Sequence, residues 1–290
     1  MKLDSLLDLV DRLVVTKVTT PAGGRWRRVR EDKMATEPVI RTGVAETTRP
    51  RTWLLVPSFL LGPEIWRGVA EVLELLGQTC IIPDPGRTTP ADEDHLTPWV
   101  DDVVAAVPTG LVGPVVVCGY SASSPRLPLV VDALLKREVD VVSMVIVNGR
   151  LPEDGAIPTE RDSPFMDTLD ALVRPDDYLP PWHRWWGPMV EDMLPDDDVR
   201  HRILSECRAT PRAVFDQPIP APELPARIGT AFLGLGDMYL PCYDSARDEG
   251  WAVMKVEAEH LDLVVKPLLV AGALLSLCRQ AEVRSPDRAS

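Results

Sequence analysis

The chain has 290 residues, with 31 Lys and Arg against 44 Asp and Glu, for a net charge of −13. A body this acidic repels phosphate backbones, so no nucleic-acid partner is expected. Hydrophobic residues make up 45%, enough for a large core, yet the longest apolar run is broken by Lys266 and Pro267 and is too short to span a bilayer.

The start carries Asp4, Asp8 and Asp11 inside its apolar pattern, which is wrong for a secretory leader, so a cytoplasmic location is expected. Two polar strands are expected over Leu13 to Thr20 and Val39 to Thr47. Between them Arg25, Arg27, Arg28 and Arg30 read as a solvated strand face. Arg51 to Pro57 predicts a short buried strand, Glu64 to Leu76 a helix, and Thr79 to Pro83 a second strand. Thr97 to Val107 is amphipathic. Pro114 to Cys118 is filled with β-branched residues and is the most strand-like run in the chain. A helix over Leu127 to Arg137 follows, then a strand over Val141 to Val147 that ends at Asn148-Gly149. After a long Pro-, Asp- and Trp-rich interval come strands at Thr230 to Leu235 and Trp251 to Val256, and a closing helix to about Gln280. Strands apolar on both faces that alternate with helices predict an α/β fold, a mostly parallel sheet covered on both sides. The five cysteines are scattered and lack CxxC spacing, so they read as reduced thiols, neither disulfides nor a zinc site.

One junction carries chemistry. The strand Val115-Val116-Val117-Cys118 runs into Gly119-Tyr120-Ser121-Ala122-Ser123 and then into a helix. A sharp strand-to-helix turn strains its apex residue and needs small neighbours two positions away. Gly119 and Ser123 fill those positions and push Ser121 outward at the carboxyl end of the sheet. The junction resembles the nucleophile elbow of the α/β-hydrolase superfamily, and the resemblance extends from about Arg51 to Cys278. The expected division is a core over 1–150 and 227–280 with a helical cap insertion over 151–226, as the resemblance implies, and a tail over 281–290 whose charged, small residues predict disorder.

The resemblance also implies a histidine after the last strand and an acid that orients it. Of four histidines, His260 alone follows the last strand and precedes the last helix. His95 and His201 read as surface residues, and His183 lies in the wrong element. Asp237, in the turn Gly236-Asp237-Met238-Tyr239-Leu240-Pro241, matches the acid of many such hydrolases; Asp154 and Asp262 are the rivals. The expected triad is Ser121, Asp237 and His260.

An oxyanion hole is expected from the backbone N–H groups of Phe59 and Ala122. Here the pattern departs from similar proteins, which read His-Gly-Phe where this chain reads Pro57-Ser58-Phe59. Proline has no N–H to donate, and the Ser58 hydroxyl stands near the developing charge. A hydrophobic small-molecule pocket is expected from Ser58, Leu60, Tyr120, Trp182, Trp186 and Met189. The acidic runs lack calcium-loop spacing and no GxGxxG follows the first strand, so no metal or cofactor is expected. Three functions fit: ester hydrolysis through an acyl-enzyme; acyl elimination or cyclisation on the same fold, as in hydroxynitrile lyases and polyketide or tetronate tailoring; and a hydrolase-like ligand receptor.

Overall fold

In the computed structural model, residues 50–86, 88–158, 163–194 and 196–284 are described. The two polar strands, the arginine cluster and the end of the tail lie outside them. The expected parallel sheet is present. Six strands, β1 (Thr52–Val56), β2 (Thr79–Ile81), β3 (Val115–Tyr120), β4 (Val141–Val147), β7 (Gly229–Leu235) and β8 (Ala252–Val256), lie in the order β2-β1-β3-β4-β7-β8. All five pairings are parallel.

Burial explains the sequence pattern. Every residue of β3 and β4 is buried, because helices cover both faces of the sheet and no polar face is needed. Helix α1 (Glu64–Leu75) sends Ile65, Trp66, Val69, Ala70 and Leu73 inward, a spacing of one helical face. Helices α2 (Thr97–Ala105) and α3 (Leu127–Lys136) follow β2 and β3. The chain between β4 and β7 holds α4 (Pro164–Leu172), α5 (Met189–Met193) and α6 (Asp197–Glu206). It also holds an antiparallel pair, β5 (Tyr178–Leu179) with β6 (Thr210–Pro211), so the insertion is not purely helical as expected. Helix α7 (Leu240–Asp248) precedes β8; α8 (Asp262–Val265) and α9 (Pro267–Arg284) close the chain. The last helix passes the expected end at Gln280, so residues 281–284 belong to it and not to a tail.

The register aligns the strand ends that matter. Val56 pairs with Gly119, Tyr120 with Val147, and Val147 with Leu233. The loops after β1, β3, β4 and β7 therefore leave the sheet side by side. Strand order reverses between β1 and β3, the switch point at which open α/β sheets hold ligands. The insertion is tied over this edge by a polar clasp: Glu206 Oε2 accepts the Glu64 N–H at 2.7 Å, and Arg202 Nε meets Glu64 Oε1 at 2.8 Å.

Gly149, just after β4, shows how closely these loops approach. A Cβ there would lie 2.1 Å from Ser124 Oγ and 2.5 Å from the Ser121 carbonyl oxygen. Backbone must therefore move to admit one. Gly149→Ala is expected to destabilise the protein by about 1–3 kcal/mol, measured as a lower denaturant midpoint, and to displace the turn that carries Ser121.

Candidate active site

Ser121 stands where β3 breaks into a 3-10 turn over Ser121–Arg126. Its φ is +56°, a left-handed conformation that costs a non-glycine residue roughly 1–2 kcal/mol. Two close approaches hold the strain in place. Leu127 packs over Gly119, where a Cβ would come within 2.6 Å of it. The Ser123 hydroxyl donates to the Pro57 carbonyl, which joins the turn to the loop after β1. The small side chains flanking Ser121 therefore serve as the elbow requires, and Ser123 adds a bond that its size alone does not predict.

Ser121 Oγ lies 3.0 Å from His260 Nε2. The histidine sits in the loop between β8 and α8, and Tyr120 holds it from behind. The Tyr120 ring stacks on the imidazole at 5.0 Å, 28° from parallel, and its hydroxyl donates to the His260 carbonyl oxygen at 2.6 Å. Tyr120 is fully buried, so it supports the histidine and does not line a pocket as expected.

The acid is where the structure corrects the expectation. Asp237 does not face His260: its carboxylate points to solvent and pairs with Lys255 Nζ at 2.7 Å, with 78% of the side chain exposed. The rivals are committed elsewhere too. Asp154 accepts the Ala221 N–H, while Asp262 accepts the Glu259 N–H and pairs with Lys266. The group against His260 Nδ1 is the side-chain amide of Asn148, whose Nδ2 is 2.7 Å away.

Asn148 is the residue immediately after β4, fully buried, with φ +47°. Asparagine tolerates that left-handed conformation better than most residues. Its Oδ1 accepts the Leu235 N–H at 3.0 Å, and its own N–H donates to the Leu233 carbonyl at 2.8 Å. The Leu235 N–H can only donate, so the amide oxygen must face it and the amino group must face the ring. Nδ1 of His260 is then an acceptor, the ring proton is on Nε2, and Nε2 donates to Ser121 Oγ. A carboxylate at Asn148 would impose the opposite tautomer. Burial, with no carboxylate against it, pushes His260 down to about 4, so the ring is neutral at pH 7.

A tyrosine completes the cluster. The Tyr239 ring lies 5.9 Å from the imidazole, and its hydroxyl is near enough to Ser121 for that side chain to act on it. Burial raises its pKa, so it stays a neutral phenol. The turn expected to supply an acid at Asp237 thus supplies Tyr239 two residues later. Gly236, at φ +66°, sets that turn, with the Ala258 carbonyl 2.4 Å from where its Cβ would be. The sequence pattern singles out neither Asn148 nor Tyr239.

The loop after β1 lies beside the elbow. Ser58 is buried, and its Oγ accepts the Leu60 N–H at 3.3 Å while its carbonyl accepts the Leu61 N–H at 3.0 Å. Leu60 is buried with it. From Phe59 a run of aromatic contacts crosses into the insertion: Phe59 to Phe215 at 5.8 Å, Phe215 to Trp185 at 6.1 Å, Trp185 to Phe165 at 6.2 Å. Trp186 stacks on Phe165 at 6.1 Å and meets Trp182 at 6.4 Å. Trp182 and Trp186 therefore belong to the packing that seats the insertion. Met189 is 52% exposed, on the outside of the insertion, and corrects the expectation that it lines a chamber. Among the described residues no group of three or more His, Cys, Asp or Glu could hold a metal ion, and no helix is long and apolar enough to cross a membrane.

No protein-family model matches the chain, and no curated protein matches it. Solved structures do. An extracellular α/β-hydrolase from a Paenibacillus species, described as sharing structural and functional homology with tobacco salicylic acid binding protein 2, superposes with a TM-score of 0.62 at 13% identity, over 79% of this chain and 99% of that one. The pyrethroid hydrolase PytH gives 0.59 at 17% identity, over 79% and 97%. A tomato methylketone synthase I variant complexed with β-ketoheptanoate gives 0.56 at 11% identity, over 80% and 99%. At these identities the likeness is one of fold, and the fold is that of the α/β-hydrolases.

Proposed function

We propose that the chain is a cofactor-free enzyme that cleaves an ester of a medium-sized hydrophobic molecule, with Ser121 as nucleophile and His260 as its proton partner. The observation that carries this reading is the strained Ser121 at the elbow apex, its Oγ 3.0 Å from His260 Nε2. Nothing in ordinary packing requires a left-handed serine aimed at a buried neutral imidazole. Esterases and hydrolases among proteins of the same fold support it. The Phe59 and Ala122 N–H groups receive the developing oxyanion, the ester C–O bond breaks as its alcohol leaves with the Ser121 proton carried by His260, and water then releases the acid from acylated Ser121. The aromatic insertion covers the site as a cap.

Asn148 sets the pace in this reading. For Ser121 to lose its proton to Nε2, the ring must first carry its own proton on Nδ1. The amide must then turn its oxygen to the ring and give up the Leu235 N–H, which costs about 1–3 kcal/mol for the group left unpaired. No buried carboxylate then stabilises the imidazolium. Hydrolysis is accordingly slow. The same observation favours a second reading, elimination or ring closure. There the Nε2–H of the neutral His260 ring hydrogen-bonds to a developing oxygen and keeps its proton, and no acyl-enzyme is needed.

Short p-nitrophenyl esters test the first reading. Turnover in the wild type that disappears in Ser121→Ala supports hydrolysis; wild-type and variant rates that coincide remove it. The pH profile is a separate check. His260 must be neutral to take a proton, and its value of about 4 lies below the usual 6.5 or so. The rate is therefore expected to stay level from neutral pH down to about pH 5 and to fall as pH drops through about 4. A fall centred near 6.5 would contradict the burial argument.

A further inference from the structure

Beside the elbow lies a cavity of about 40 Å³ with a cation in its wall. Arg126 closes the 3-10 turn that Ser121 opens, and it is only 3% exposed. Its guanidinium carbon sits 4.0 Å from the centre of the Phe59 ring and 5.2 Å from that of Trp99. Aromatic faces return part of the cost of burying a charge, but a buried cation ordinarily also has an anion. Among the described residues no carboxylate hydrogen-bonds to Arg126, and its Nε has no partner. Burial brings it down to about 9, so it remains charged at neutral pH.

Two more groups in the same wall are unsatisfied. Trp99 Nε1 and Thr210 Oγ1 are buried without a hydrogen-bond partner, in residues 4% exposed. Buried polar groups are nearly always paired. Three orphans, all able to donate, in residues that line one small space point to an acceptor. The space holds about three water-sized occupants, the bulk of one carboxylate. The other charged or titratable neighbours limit the charge. Asp84 borders the cavity with an exposed carboxylate and opposes a multiply charged ion. His95, bonded through Nδ1 to the Thr88 hydroxyl at 2.6 Å, is held below its usual range by burial and by Arg126, so it adds no positive charge at pH 7.

The cavity shares Ser58 and Phe59 with the loop expected to hold the oxyanion. Ser121 and Arg126 are separated by roughly 10 Å along the turn, at about 2 Å per residue. We infer that Arg126, Trp99 and Thr210 bind a free carboxylate on the substrate, so that the ester presented to Ser121 is a half-ester of a dicarboxylic acid. This rests on the reading of Ser121 as nucleophile.

Two measurements keep the inferences apart. In the first, Ser121→Ala protein is titrated calorimetrically with adipate, with neutral dimethyl adipate and with inorganic phosphate. Adipate is expected to bind, and dimethyl adipate is not. Arg126→Met should weaken adipate by about 10–100-fold, the worth of a charge-assisted hydrogen bond, with Arg126→Lys in between. Equal behaviour of adipate and its dimethyl ester, or full retention of binding in Arg126→Met, overturns the assignment. Phosphate binding as tightly as adipate also overturns it, because the site would then be a general anion site. Should Arg126→Met fail to fold, Arg126→Lys and the adipate-against-diester comparison still decide. In the second, mono-p-nitrophenyl esters from succinate to azelate are assayed on wild type. An optimum at intermediate length, with a lower KM than the neutral ester of equal length and lost in Arg126→Met, is the expected result. Adipate binding with no turnover on any ester would keep the carboxylate site and remove the hydrolase reading; turnover indifferent to the carboxylate would do the reverse.

Discussion

Asn148→Asp is expected to raise ester turnover by about 10²–10⁴-fold, the scale on which the reverse exchange slows a serine triad by selecting the wrong tautomer. The geometry is already in place. A carboxylate at Asn148 would keep the Leu235 N–H on one oxygen and set the other about 2.7 Å from His260 Nδ1, as the amide does now. Aspartate tolerates the φ of +47° as asparagine does. Nδ1 would then have to donate, and Nε2 would turn its lone pair to Ser121. The new charge would also stabilise the imidazolium, so the acidic limb of the pH profile should move up from about 4. Steady-state kinetics on p-nitrophenyl butyrate between pH 3 and 9 would measure both effects. An unchanged rate in a folded Asn148→Asp protein would mean that the tautomer is not what limits the wild type.

The stability of the protein carries the sign of the same group. His260 is held near 4 when folded and near 6.5 when unfolded. The unfolded chain therefore binds the extra proton first as pH falls. Stability from this residue is complete above about 6.5 and is lost progressively down to about 4, by about 3 kcal/mol in all.

Much of this was legible in the sequence because it depends on local pattern. Runs such as Val115 to Cys118 and Val141 to Val147 are apolar throughout, and only a strand covered on both faces reads so. Ser121 was legible because a strand, a glycine two residues earlier and a helix behind it leave one conformation for the apex. His260 followed from its place in the order of elements. Asp237 misled for a physical reason: a turn motif fixes where the backbone bends, and the side chain that points inward depends on Gly236 and on the Ala258 carbonyl against it. Here the inward residue is Tyr239, while Asp237 finds Lys255 on the next strand. Asn148 carried a faint signal. It directly follows a buried strand whose neighbour in the sheet ends in the nucleophile, and a buried asparagine there must satisfy four hydrogen-bonding positions. The register between β4 and β7, which puts the Leu235 N–H opposite it, is not readable from local pattern. Arg126 was hidden in the same way, since only packing reveals that a charge two residues beyond a serine run is enclosed by Phe59 and Trp99.

Loss of the nucleophile should have the largest negative effect. Ser121→Ala is expected to lower kcat for p-nitrophenyl esters by about 10²–10⁴-fold. That is less than the roughly 10⁶ lost by a complete triad, because the wild type begins from a disfavoured tautomer. Ser121→Gly should lose as much activity and be more stable than Ser121→Ala by about 1 kcal/mol, since glycine adopts the +56° φ without a Cβ penalty. Chemical denaturation of the two variants side by side measures this. Equal midpoints, or a less stable glycine variant, would mean that the elbow is not strained at Ser121.

The chemistry proposed for this protein rests on Ser121 as a nucleophile partnered by His260. Intact-protein mass spectrometry after exposure to a fluorophosphonate tests it most directly, in wild type, Asn148→Asp and Ser121→Ala. A single adduct mapped to Ser121 is expected, formed slowly in wild type and faster in Asn148→Asp, and absent from Ser121→Ala. An adduct that persists in Ser121→Ala, or no adduct in either wild type or Asn148→Asp, would contradict it.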